Sequence, residues 1–187
     1  MTGINPILFY SNTILTKIIK TGGVHFTART GSNIIQMVMA CSGIASFWVV
    51  KSFGRRTLLL FGYAACGICQ ITIAILTIYE KNLGILVFIC LFVACYQITT
   101  GQIAWIYAAE TCTDISLGVS LYTLWFVVLV LLMTTEPLMN SPLKEQGVFA
   151  IFGICCLAAT AFTFFFIRET KGLTDYQKKS LYAPKND

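Results

Sequence analysis

Charges fall at the borders of long apolar blocks in this chain and are absent inside them. Thr30–Val50, Thr57–Tyr79, Asn82–Ala109, Ile115–Thr135 and Gln146–Ile167 contain no Asp, Glu, Lys or Arg. A helix needs about 20 apolar residues to cross roughly 30 Å of hydrocarbon, so each block is long enough to span a membrane. The pattern predicts spans at about 31–50, 57–79, 83–109, 116–135 and 147–167. A sixth, at about 3–19, is less regular: it holds Asn5, Pro6, Ser11 and Asn12 and ends at Lys17. Pro and Asn in such a segment predict a broken or kinked helix, which membranes tolerate where it lines protein or a cavity. The segment has neither a positive n-region nor an A-x-A-like cleavage site, so it reads as a span and not as a secretory signal peptide.

The connections are short. Lys20–Arg29 holds Gly22, Gly23 and His25, and Lys51–Arg56 reads KSFGRR. Glu80-Lys81 is minimal, Glu110–Asp114 is small and acidic, and Glu136–Glu145 contains Pro137 and Pro142. Residues 168–187 form a polar tail in which Thr174 and Gln177 make a capping-box signal for a short surface helix. Lys178 and Lys179 on that helix would suit an anionic surface. Six spans put both termini on one side. That side carries eight cations, Lys51, Arg55, Arg56, Arg168, Lys171, Lys178, Lys179 and Lys185, against five on the other. The positive-inside rule therefore places the termini inside.

Composition agrees with the spans. The chain has 187 residues, 57% of them hydrophobic and only 11% charged, and its mean hydropathy is +0.77. A soluble domain carries about a quarter charged residues, so a soluble fold, a disordered chain and a nucleic-acid binder all fit poorly. The net charge of +5 is spread over helix ends and makes no groove for nucleic acid. The lipid bilayer is the first partner. Most of the eight cysteines lie inside apolar blocks and read as packing residues. Cys66-Gly67-Ile68-Cys69 has no second pair, and His25, the only histidine, is far from it. No metal site and no cofactor is expected.

The carboxylates Glu80, Glu110, Asp114, Glu136, Glu145 and Glu169 lie at helix ends, and none sits mid-span where it would mark an ion or proton relay. No nucleophile, base and acid come together, so the chain is not read as an enzyme. Gly54-Arg55-Arg56 is either a topological anchor or an ion-pair latch to Glu110 and Glu169 on the same side. Trp105, in Gly101–Glu110, is either a belt aromatic or a residue that stacks on a substrate. Asn5, in Gly3–Ser11, is either a helix–helix hydrogen bond or a cavity-lining polar group.

In this order these spellings resemble one family, the sugar-porter branch of the major facilitator superfamily. GINPILFYS looks like that family's seventh helix, FGRR like its loop between helices eight and nine, and GQIAWIYAAE like its tenth helix. RETKGLT, Arg168–Thr174, looks like its PETKGLT signature. The resemblance covers Gly3 to Thr174. It implies an all-α integral membrane fold, six transmembrane helices in two inverted three-helix repeats, which is one half of a major-facilitator bundle. It also implies that Asn5, Tyr10 and Trp105 contribute to a sugar path, and that Arg55, Arg56, Glu110 and Glu169 form a conformational latch.

There are departures. The chain starts too late to hold the family's Gln-Gln pair, and the family's helix-eight asparagine falls on Met39. Gln102 and Ala104 stand in place of two prolines, Lys51 in place of an aspartate, and Arg168 in place of the signature proline. An arginine expected after Glu110 is missing. Each lost polar partner costs a polyhydroxylated ligand about 1–3 kcal/mol. The expectation is therefore a transporter-derived structural or accessory subunit of a larger membrane complex, one that does not transport alone. The other reading is a functional half of a hexose facilitator or proton symporter, completed by a second six-helix half or by a homodimer. "Inside" fits cytosol or mitochondrial matrix equally, and an inner-membrane complex of mitochondria would suit the subunit reading.

Overall fold

The computed structural model describes residues 2–5, 7–8, 28–79, 82–139 and 144–179. Its elements are α1 (Ala28–Ser52), α2 (Arg55–Ile78), α3 (Asn82–Tyr96), a π-turn (Gln97–Gly101), α4 (Gln102–Thr111), α5 (Asp114–Met139), α6 (Lys144–Phe166) and α7 (Asp175–Lys179). No strand occurs among the described residues. With α3, the π-turn and α4 forming one continuous span, five helices among the described residues are long and apolar enough to cross a membrane. Residues 4–5 and 7–8 are helical, and the remainder of the 3–19 span lies outside the described residues.

Local chemistry sets the helix borders. Gly54 is the N-cap of α2, extended at φ −73° and ψ 151°, so the basic loop is a two-residue break between α1 and α2. The last connection starts later than expected, because α5 runs through Pro137 to Met139. A proline in a last turn leaves only one upstream carbonyl without its donor, a small loss compared with a mid-helix proline. Ser and Thr inside the spans return their hydroxyls to the preceding turn, as in Ser42 to Val38 O (2.6 Å), Thr72 to Ile68 O (2.8 Å) and Thr163 to Ala159 O (2.8 Å).

α2 and α6 pack together at the centre, and small residues permit it. A Cβ on Gly153 would stand 2.8 Å from Ile71 Cγ1 and 3.4 Å from the Gly67 carbonyl oxygen, so the two backbones nearly touch. Cys66, Ile73, Ile89, Phe92, Val93 and Cys156 fill the core around this crossing, with Ile35 of α1 against them. The amino-terminal segment is tied to the same pair of helices: Gln70 Nε2 donates to the Thr2 carbonyl at 2.5 Å, and Gly3 adopts φ +73°. α5 is peripheral, with only 6% of its most apolar window buried.

Candidate functional site

Two groups of polar residues stand apart from the apolar packing. The first is at the end of the bundle where α2 begins and where α4 and α6 finish. Glu169, three residues past α6, reaches the exposed N-terminus of α2. Its Oε1 accepts the Arg55 backbone N–H (2.8 Å) and its Oε2 the Arg56 N–H (3.1 Å), while the N–H groups of Thr170 (3.1 Å) and Lys171 (3.0 Å) close the same carboxylate from behind. The first N–H groups of a helix lack internal acceptors and carry its positive dipole end, so this is a capping anion supplied from another helix. Partial burial alone would raise the Glu169 carboxyl, but the four backbone donors outweigh it and hold the group below its usual range.

Glu110, on the last turn of α4, is the second carboxylate. Its Oε1 lies 3.4 Å from Arg55 Nη2 and 3.5 Å from Lys178 Nζ, and its Oε2 accepts the Thr170 hydroxyl at 2.8 Å. The Tyr107 hydroxyl donates to the Arg168 carbonyl at 3.1 Å. The capping box of α7 closes in both directions, Thr174 N–H to Gln177 Oε1 (3.1 Å) and Gln177 N–H to Thr174 Oγ1 (3.5 Å). That box turns Lys178 onto Glu110, whereas the sequence suggested that it would face an anionic surface. Of the four expected latch residues, the structure pairs only Arg55 and Glu110 through side chains, while Glu169 binds the backbone N–H groups of Arg55 and Arg56. Arg56 joins through its backbone, and its side chain takes neither carboxylate.

The second group lies at membrane depth. Gln97 sits at the midpoint of the Leu83–Thr111 span. Gln102 and Gln36 are each about 7 Å from the middle of their spans at 1.5 Å per residue, inside the roughly 15 Å half-thickness of hydrocarbon. Gln36 is exposed, Gln97 and Gln102 are half-buried, and none makes a hydrogen bond among the described residues. Gln97 Nε2 would be 3.4 Å from a Cβ on Gly43. Gln36 is seven residues from Gly43, about two turns along the same flank of α1, with Met39 between them. On the other side of the π-turn, Gln102 is one turn from Trp105, which is 44% exposed. Asn5 is half-buried and makes no hydrogen bond among the described residues; Tyr10 lies outside them. The π-turn is pinned where Gly62 of α2 comes so close that a Cβ would run into the Thr99 and Thr100 hydroxyls.

Sequence reasoning missed Gln36 and Gln97 as site candidates. Their signal was present, since they are carboxamides inside stretches free of charged residues. Among the described residues no cluster of His, Cys, Asp and Glu is arranged to hold a metal.

The family model described as "Sugar (and other) transporter" matches residues 1–182. The curated solute carrier family 2, facilitated glucose transporter member 3 of Canis lupus familiaris is 28% identical over 93% of this chain and 36% of its own length. The galactose transporter of Saccharomyces cerevisiae is 28% identical over 93% of this chain and 32% of its own. The chain thus spans about a third of the length of these relatives. A crystal structure of a double-tryptophan variant of XylE superposes with a TM-score of 0.83 at 21% identity, over 97% of this chain and 40% of that one. The inward-open xylose transporter XylE from E. coli gives 0.72 at 18%, over 94% and 42%. The fold is therefore that of one half of a major-facilitator bundle.

Proposed function

We propose, from the premise that this chain belongs to the sugar (and other) transporter family, that it is the C-terminal kind of half of a sugar porter. Its face bearing Gln36, Gln97, Gln102 and Trp105 borders a polar sugar path, and it transports only when a complementary six-helix half closes that path. The observation that carries this reading is the set of three carboxamides without hydrogen bonds at membrane depth. An amide facing hydrocarbon without a partner costs several kcal/mol. The Ser42, Ser46 and Thr99 hydroxyls of the same spans avoid that cost by bonding to their own helix, and these carboxamides do not. A face with three of them is suited to water and to a ligand that both donates and accepts hydrogen bonds, as sugar hydroxyls do. The glucose and galactose transporters among the relatives make a hexose the natural ligand class. The inside-end cluster keeps α2, α4 and α7 as one body, which alternating access requires of each half.

Met39 favours a second reading. It lies between Gln36 and Gly43 on this flank, and it packs half-buried against the apolar core, offering a sugar nothing to bond. In that reading the chain is a transporter-derived structural or accessory subunit of a larger membrane complex, and other protein covers the face.

Cysteine labelling in host membranes, measured above the wild-type background, separates the two. Gln36→Cys is expected to react with a membrane-impermeant maleimide at least tenfold faster than Phe61→Cys, a change at an exposed apolar position. D-glucose, D-galactose or D-xylose is expected to slow that reaction several-fold. A Gln36→Cys variant as inert as Phe61→Cys would overturn the path reading. A reactive Gln36→Cys variant that no sugar protects, cross-linking to an unrelated chain, would favour the subunit.

A further inference from the structure

Among the described residues, the Arg56 side chain stands at the inside end without an anion. Both nearby carboxylates are committed: Glu169 accepts four backbone N–H groups, and Glu110 takes Arg55, Thr170 and Lys178. The Arg56 side chain turns the other way. Its Nη2 donates to the Phe164 carbonyl at 2.7 Å, and its guanidinium carbon lies 5.7 Å from the centre of the Phe164 ring. Its Nε is shielded from solvent and has no acceptor among the described residues. A guanidinium carries five N–H donors and cannot shed its charge, so most of that capacity is unused.

The surroundings say what kind of anion fits. Phe164 is 57% exposed, and Phe165, in edge contact with it at 5.3 Å, is 77% exposed. Both lie on the last turn of the α6 span, at the depth where a membrane helix places interfacial aromatics. Arg168 and Lys171, both exposed, follow on the same chain end; the Lys171 backbone N–H shares the Glu169 carboxylate with the Arg56 N–H, and its ammonium donates to the Ser52 carbonyl at 2.8 Å. The field there is positive, the donors are forked, and the rim is apolar. Arg binds phosphate oxygens in pairs, and basic groups on the inside surface attract anionic headgroups. A free phosphate ion would use the guanidinium but would leave the rings bare. A phospholipid uses both, with its phosphate on Arg56 and its acyl chains against Phe164 and Phe165.

We propose that Arg56, with the Phe164–Phe165 rim, is a binding site for the phosphate of an anionic phospholipid on the inside, bilayer-facing surface of the bundle.

Native mass spectrometry of the detergent-purified protein, in whatever assembly it purifies, tests this with phosphatidylglycerol, phosphatidylcholine and inorganic phosphate as probes. Phosphatidylglycerol is expected to be retained at several-fold lower concentration than phosphatidylcholine. Arg56→Gln should weaken that retention threefold to tenfold and leave phosphatidylcholine unchanged. Lys51→Gln, which removes an exposed cation at the same end, should leave both unchanged. Should Arg56→Gln not fold, Arg56→Lys keeps the charge, loses the fork, and should weaken retention at least twofold. Equal retention by wild type and the Arg56 variants would overturn the proposal. So would an equal loss in Lys51→Gln, which would mean a diffuse field, or full displacement by about 10 mM inorganic phosphate, which would mean a free-anion site with no use for the acyl chains.

Discussion

Glu169 shows how one side chain serves as a joint between helices. Its carboxylate caps α2 from beyond the end of α6, so its removal should loosen that end of the bundle. Glu169→Gln keeps the shape but loses the charge at a helix N-terminus, and is expected to cost about 1 kcal/mol at pH 7. The pH dependence has a definite sign. Because the folded-state pKa is lowered, the stabilisation is fully present above the range where an ordinary glutamate ionises, about pH 4–5, and is lost as the pH falls through the folded value. Thermal unfolding of wild type and Glu169→Gln in detergent should therefore differ at pH 7 and converge toward about pH 3; a constant difference across that range would contradict the capping role. Gly54 belongs to the same joint. A Cβ there would overlap the Glu169 carboxylate, so Gly54→Ala should cost about 1–3 kcal/mol, and the double variant should cost little more than either single one. The FGRR spelling made Arg55 and Arg56 visible as candidates, and the RETKGLT spelling Glu169. Neither could reveal that Glu169 binds backbone and not guanidinium, because that choice depends on where α6 ends in space.

At the scale of elements, spans were legible because charges cannot sit in hydrocarbon and so mark helix ends. Borders shifted by a few residues where caps and a tolerated proline decided them, as at Gly54 and Pro137. The π-turn at Gln97–Gly101 was not legible. It inserts one extra residue into a helix, and contacts from elsewhere in the chain hold it: Gln97 lies across Gly43 of α1, and Thr99 and Thr100 press on Gly62 of α2. Such turns mark strained or functional places in a helix, and this one separates the carboxamides at 97 and 102 from each other. Gly62→Ala is therefore expected to overpack the crossing and destabilise the bundle by about 1–3 kcal/mol. Thr99→Ala in the same chain should recover part of that loss, read as the unfolding temperature in detergent. An additive pair would mean that the two helices do not meet there. Lys178 makes a similar point: its ion pair with Glu110 joins residues 68 apart in sequence, and only the fold brings them within reach.

At the scale of the whole molecule, the distribution of burial argues for a partner surface. α2 and α6 pack tightly through Gly67 and Gly153, whereas only 17% of the most apolar window of α1 and 6% of that of α5 is buried. One of the weakly packed helices, α1, carries Gln36 and meets Gln97 at Gly43, so missing contacts and unbonded polar groups coincide there. Lipid can cover the apolar part of that surface but cannot satisfy the amides. Alternating access also needs two bodies that rock about a midplane site, and the described residues make one. The purified chain alone in liposomes is accordingly expected to show no saturable uptake of D-glucose, D-galactose or D-xylose above protein-free vesicles. Uptake should appear only when a complementary six-helix half is reconstituted with it. Saturable uptake by the lone chain, abolished by Asn5→Ala, would sink this expectation, because it would require a self-sufficient sugar path built from this half or from two copies of it. With a complementary half present, Gln36→Ala and Gln102→Ala should each raise the half-saturating sugar concentration by about fivefold to a hundredfold, the equivalent of losing one hydrogen bond worth about 1–3 kcal/mol. Unchanged half-saturation in both would leave the carboxamides a role in solvating the face and none in recognition.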